Sequence, residues 1–183
     1  MLIAKGYTCP RLPVDLQFTA GAASARPAGG NVVRTWELLK NYHLPYLEYR
    51  RLHDRAYRAQ QRDHGEVCGV LATDPKGRFK LFFLRNESNH PASFGLQEST
   101  VDDTRRKVRE TGLEAIGIFH SHSVGEAVLG PRDLRLAKAR SLQLVYDVCG
   151  WEAKLWKIFQ RNGRRRATEL GLSVERTRRK RPA

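Results

Sequence analysis

Leu113-Glu114-Ala115-Ile116-Gly117-Ile118-Phe119-His120-Ser121-His122 is an apolar run that ends in two histidines, and Asp133 follows eleven residues after the second. Side chains on a strand alternate faces with period two, so His120 and His122 are expected to point the same way. Two imidazoles on one face and a nearby carboxylate are three ligands of the kinds that zinc accepts. A catalytic zinc site has three protein ligands and an open position for water, whereas a structural site is closed by four. The motif therefore points to hydrolysis.

Gly130-Pro131-Arg132-Asp133 reads as a helix start. Glycine is tolerated as an N-cap and proline is favoured at the first helical position. Good helix formers follow from Leu134 to Arg140, which puts Asp133 in the first turn. Taken alone, an acid there merely complements the helix dipole, and a lone histidine is most often an ordinary surface or core residue. The joint spacing is what favours a metal. Hydrolysis also needs a general base to take a proton from water. Glu66 is the candidate, because it opens the otherwise apolar segment Val67–Leu71, where an unpartnered carboxylate is costly to bury. A strand-edge glutamate in water is an equal alternative on spacing alone.

These positions resemble those of the JAMM (MPN-plus, JAB) metalloproteases. The pattern of that family is a Glu on the first sheet strand, then His-Ser-His, seven residues, Ser, two residues and Asp. Glu66, His120, His122 and Asp133 match the Glu, both histidines and the Asp. Phe82–Phe94 is similar to the intervening strand and loop of bacterial members, and Leu155–Ile158 to their closing strand, so the resemblance runs from roughly Leu44 to Phe159. Two positions depart from the pattern: Gly130 stands for the family Ser, and Ser123 for the Pro that usually follows the second His. Glycine replaces a serine N-cap at a cost of only about a few tenths of a kcal/mol, but it supplies no hydroxyl.

The resemblance implies an α/β fold, a compact JAMM/MPN (cytidine-deaminase-like) domain whose central mixed sheet is flanked by helices. It implies one Zn2+ per chain held by His120, His122 and Asp133. Glu66 would be the base. Position 130 belongs to the catalytic set through the family Ser, and Ser121 joins that set as a neighbouring hydroxyl that could replace it, with Ser123 as a second. The implied activity is that of a zinc-dependent peptidase or isopeptidase, cutting after the C-terminal glycine of a ubiquitin-like protein. The implied setting is a bacterial, cytoplasmic, antiviral conjugation system with E1-like or E2-like enzymes as further partners. Runner-up readings are a peptidase that processes sulfur-carrier proteins, a non-catalytic MPN scaffold, for which Gly130 speaks, and a RadC-like DNA-associated protein. The last is ranked lowest because that group carries HNH rather than HSH.

The 183 residues suffice for one domain with a real core, and 40% hydrophobic with 28% charged residues suits a globular chain. No apolar run is long enough to span a bilayer, and Met1–Gly6 shows no signal-peptide core, so no membrane partner is expected. Cys9, Cys68 and Cys149 are odd in number and widely spaced, which fits neither a disulfide framework nor a CxxC metal site. Cys68 is expected to be a small buried hydrophobe.

The formal net charge is +14. From Arg161 onward, nine basic residues face only Glu169 and Glu175. Such a run is most often a solvated tail. Nucleic acid is the less favoured partner, since no aromatic in the run could stack on bases.

Residues 1–31 read as an extension, with a short strand over Val14–Phe18 and a linker over Ala20–Gly30. Residues 32–160 read as the metalloprotease domain, and 161–183 as a basic C-terminal tail. Within the domain, the pattern predicts a helix over Pro45–Gln61 with the stripe Tyr46, Tyr49, His53 and Tyr57 used for packing. It also predicts a hairpin of Glu66–Ala72 with Phe79–Leu84, a helix over Gln97–Thr111, and late strands Gln143–Val148 and Glu152–Phe159. No long insertion flanks the metal motif; in JAMM deubiquitinases such insertions select ubiquitin-chain linkages, so the resemblance implies no such selection here.

Overall fold

Asp74-Pro75-Lys76-Gly77 closes the first hairpin as its turn chemistry requires, with Gly77 at a φ of 81°. The computed structural model describes Trp36, Leu39 and residues 41–90 and 92–175. The short strand and linker read within residues 1–31, Cys9 and the last basic residues from Arg176 lie outside the described residues.

In chain order the elements are β1 (Tyr42–Pro45), α1 (Tyr46–Asp63), β2 (Cys68–Thr73), β3 (Phe79–Leu84), α2 (Glu98–Glu110), β4 (Glu114–His122), α3 (Pro131–Leu136), β5 (Ser141–Asp147), β6 (Glu152–Arg161), β7 (Arg164–Leu170) and β8 (Leu172–Glu175). A six-stranded sheet runs β3-β2-β4-β5-β6-β7, and β1 pairs with β8 beside it. Strands β4 and β5 are parallel and the other neighbours in the large sheet are antiparallel, so the sheet is mixed, as expected. The parallel pair starts at Gly117 opposite Leu142. A Cβ at Gly117 would collide with the Leu142 carbonyl, so only glycine lets the two backbones meet there.

Helix α1 covers one face of the sheet, burying Leu52 and Ala56 with Leu71, Phe119, Leu142, Leu144 and Leu155. Glu48 fixes its start. This buried carboxylate accepts the Leu81 N–H at 3.3 Å and meets Lys80 at 3.0 Å and Arg51 at 2.9 Å. Further along, the helix stripe packs as expected, with His53 Nδ1 2.7 Å from the Tyr146 hydroxyl and its ring 4.1 Å from Trp151. Helices α2 and α3 lie on the opposite face. Val101 and Val108 are buried there at the spacing of one helical stripe.

Three readings change. Residues 164–175, assigned from the sequence to a tail, form β7 and β8. Their alternation is hidden because β7 is mostly exposed arginine, yet Leu170 and Leu172 pack against the core. The short strand β1, in the stretch just before the predicted helix, escapes the pattern because its partner β8 lies far along the chain. Helix α3 stops at Leu136 instead of continuing toward Arg140, since the chain must turn into β5 at Ser141, and Arg140 takes a φ of 60° to do so. Among the described residues, no helix is long and apolar enough to cross a membrane.

Strand β7 completes the edge of the large sheet and β8 pairs with β1, so deleting residues 164–183 strips two leucines from the core. The truncated chain is expected to melt about 5–10 °C lower than the full chain, followed by circular dichroism. An unchanged melting point would mean that the two strands add nothing to the domain.

Candidate metal centre

Strand β4 ends in the His-Ser-His motif, and its alternation separates the three side chains. His120 and His122 face the α3 side, where their Nε2 atoms stand 3.1 Å apart. Ser121 points to the other face. Its hydroxyl accepts the Val67 N–H at 3.0 Å while its own N–H donates to the Val67 carbonyl at 2.9 Å. This pair of hydrogen bonds extends β4 pairing to the residue next to Glu66. Glu66 itself lies two residues before β2 rather than on the strand. Ser121 thus holds the backbone beside Glu66, on the face away from the histidines and outside the cavity that Gly130 lines.

Helix α3 brings Asp133 to the histidines. One carboxylate oxygen lies 3.7 Å from His120 Nε2 and the other 3.7 Å from His122 Nε2. Asp133 also accepts the Gly130 N–H at 2.8 Å, which anchors it at the helix start. Burial opposes its ionisation, but the two imidazoles and the Gly130 N–H outweigh that and hold the carboxyl well below the usual range. Burial lowers the His120 pKa. For His122 burial is overcome by Asp133, the Glu126 carbonyl and Glu66, so its pKa is raised.

The donor set fits a divalent metal. One ligand atom from each of His120, His122 and Asp133 falls within 4.8 Å of the others. Tetrahedral ligands at zinc distances stand about 3.3 Å apart, close to the spacings found here. The His122 Nδ1 lies 2.7 Å from the Glu126 carbonyl, which can only accept. In the neutral ring that fixes the proton on Nδ1 and leaves the Nε2 lone pair toward its partners. His120 is fully buried, stacked on Phe94 at 4.3 Å. Its Nδ1 has no hydrogen-bond partner. Two Nε2 lone pairs and a carboxylate converging on one point repel one another unless a cation or a proton lies between them.

Glu66, His122, Gly130, Arg132 and Asp133 line one cavity of about 270 Å³. Glu66 also lines an adjoining cleft of about 680 Å³ bordered by Arg62, Arg85 and His90. Burial raises the Glu66 pKa to about 7, with His122 and Arg132 favouring the charged form and Asp133 opposing it. A carboxylate of that pKa can take and return a proton near neutral pH.

Two contributors were missed in the sequence. Asn86 donates to the Glu66 carbonyl at 2.9 Å and to the Ser93 carbonyl at 3.0 Å, and its oxygen accepts from the Ser88 and Gly95 N–H groups. It closes the loop that carries Phe94 onto the backbone that carries Glu66. Ser93 lines the small cavity, with its hydroxyl 2.5 Å from that of Ser88. Ser123 is fully buried and does not line the cavity. Neither Asn86 nor Ser93 stands out from a polar loop in sequence, where nothing marks which side chain turns inward.

The sequence model of the family described as prokaryotic homologs of the JAB domain matches residues 50–162. A desampylase of Pyrococcus furiosus is 28% identical over 111 residues, 60% of this chain and 76% of that protein. The solution structure of protein DSY2949 from Desulfitobacterium hafniense aligns with a TM-score of 0.54 at 20% identity, covering 73% of this chain and 94% of that one. The last likeness concerns the fold alone.

The raised Glu66 pKa has a signed consequence for stability. The folded chain holds this proton more tightly than the unfolded one, so its contribution is full below the ordinary value of 4.5 and is lost as pH rises through about 7. With a chelator present, Glu66→Gln is expected to be more stable than wild type at pH 8, by up to about 3 kcal/mol. Near pH 4 the two should unfold alike. Denaturant titrations at both pH values test this, and an equal difference at both would exclude ionisation of Glu66 as the cause.

Proposed function

Because the chain belongs to the family of prokaryotic homologs of the JAB domain, we propose that it is a zinc-dependent peptidase or isopeptidase that cuts after the C-terminal glycine of a ubiquitin-like protein. The observation that carries this reading is Glu66 in the same cavity as His122 and Asp133, with His120 at 3.1 Å from His122. Kinship with a desampylase supports a ubiquitin-like substrate in general. A bacterial conjugation system with E1-like or E2-like partners, located in the cytoplasm, is the setting this reading favours.

His120, His122 and Asp133 would hold the zinc. Zinc, when bound, polarises a scissile carbonyl and lowers the pKa of water toward about 7. Glu66 takes one proton from the attacking water as its oxygen adds to the carbonyl carbon. Glu66 then delivers that proton to the nitrogen as the C–N bond breaks, leaving an amine and a carboxylic acid that loses its remaining proton to solvent. Arg132, at the cavity wall, favours the charged state of Glu66 in which it can accept. An extended C-terminal tail can lie as an added strand along a sheet edge and so bring its carbonyl to such a cleft.

A second reading, a scaffold without turnover, is favoured by one observation. Gly130 stands where the family has a serine, and neither Ser121 nor Ser123 reaches the cavity to replace it.

Purified protein is expected to carry about one zinc per chain by elemental analysis, lost in His120→Ala and in His122→Ala. Glu66→Gln should keep the metal and lose roughly 10²–10⁴-fold in rate on a ubiquitin-like protein with a C-terminal reporter. Protein that stays metal-free after zinc loading and desalting would end the hydrolase reading.

Position 130 provides a further test. Gly130 has a φ of −75°, and a Cβ there would meet only Asp133 at an ordinary 3.4 Å, so serine fits without strain. Gly130→Ser should keep fold and zinc and raise turnover, by up to roughly 10²-fold if no other donor fills the role. A lower rate would place Ser93 or a water in that space already. No cleavage by either form would favour the scaffold.

A further inference from the structure

Apart from the influence of Arg132 on Glu66, the arginines of α3 and β7 have no function in the reading above. Arg132, Arg135 and Leu136 are spaced as neighbours on one helical face, and all three are exposed. Arg165 alternates onto the same side of the sheet, where it donates to the Arg135 carbonyl. Among the described residues none of Arg132, Arg135 and Arg165 forms a salt bridge, whereas nearby Lys138 is paired with Glu98 and Lys154 with Glu152. The surface joins the cleft directly, since Arg132 lines the cavity with Val124 and Val128. Val124 is 73% exposed and Leu136 53%, so the basic residues border an apolar strip.

We propose that this α3–β7 face is the docking surface for the folded body of an acidic protein substrate whose C-terminal tail enters the cleft. The inference rests on the peptidase reading of that cleft. Complementarity is one reason: among the described residues none of the three arginines is held in a salt bridge, and an acidic partner supplies one. Composition is another. Exposed apolar side chains beside arginines suit a protein interface, where arginine is enriched. A duplex-binding face would present a more uniform basic surface, and here Glu126 and Glu169 also stand exposed near it. No aromatic side chain lies in the strip to stack on single-stranded bases. Charge reaching out from the cleft mouth would also steer such a substrate and orient its tail.

The test compares the wild type with Arg135→Glu/Arg165→Glu, which leaves every residue of the cavity in place. Two fusion substrates share one C-terminal tail and reporter: one carries an acidic ubiquitin-like body and the other the same body with its surface acids changed to lysine. A short reporter peptide with that tail is the third substrate. At low salt the double variant is expected to lose about tenfold in kcat/KM on the acidic fusion, through KM. It should gain on the lysine-bearing fusion and match wild type on the peptide. Equal losses on peptide and fusion, or no loss on either, would overturn the inference. Binding of the acidic body without its tail, by fluorescence anisotropy, is read in parallel and needs no turnover. No turnover of any substrate would therefore defeat the peptidase reading, while the anisotropy still decides the docking face. Weaker binding of a duplex DNA in the variant, with unchanged binding of the acidic body, would assign the face to nucleic acid instead.

Discussion

Ser121 and Val67 exchange two hydrogen bonds, one through the Ser121 hydroxyl and one through its backbone. That exchange sets the relation between the two parts of the candidate site. The histidines sit on β4, and Glu66 sits outside β2, where no ladder bond of the named strands would fix it. The clasp at Val67 extends the β2–β4 pairing by one step and holds Glu66 at the edge of the histidine face. It can do so only because Ser121, between two histidines, must point the other way.

The opposite side of the site is governed by a short helix. Asp133 is both a member of the first turn of α3 and the acceptor for the Gly130 N–H at its start. Its carboxylate is therefore set before any metal is considered. The backbone of residues 126–127 is tied down as well, since the Glu126 carbonyl lies 2.7 Å from His122 Nδ1 and the Ala127 carbonyl accepts the Trp156 indole at 3.1 Å. A site built in this way is preorganised: its ligands are held by the sheet, a helix start and two carbonyls rather than by the ion alone. Burial then separates the two carboxyl groups. Asp133, ringed by imidazoles and an N–H, stays ionised, while Glu66, with more burial than compensation, moves to about 7. The same chemical group thus takes two protonation behaviours in two environments, as the proposed roles of ligand and proton carrier require.

The surface extends the same logic beyond the cleft. The arginines concentrated late in the chain look in sequence like a solvated tail, because a strand made of Arg164, Arg165 and Arg166 shows no apolar alternation. As the edge of the sheet, β7 needs few buried side chains, and charged residues on an edge also discourage unwanted strand pairing. Its position beside α3 turns a composition bias into a local field at the mouth of the site.

Much of the architecture was legible locally. The period-two pattern of β4, the turn at Asp74–Gly77, the proline after Gly130 and the two-valine stripe of α2 are short-range signals, and each produced its element, α3 being shorter than expected. The grouping of His120, His122 and Asp133 was legible as well, because their chemistry is rare enough in combination to outweigh the ordinary reading of each, whereas Glu66 joined them only through the family resemblance. What the tertiary structure alone decided depends on contacts between distant residues. Strand β1 exists because β8 returns to it, and α3 is cut short because β5 must begin beside β4. Ser121 becomes a clasp through Val67, fifty-four residues away, and Asn86 an internal anchor through the Glu66 carbonyl. A side chain's partner across the sheet leaves no mark on its own neighbours in the chain, so the sequence determined which groups were present and the fold determined what each one holds.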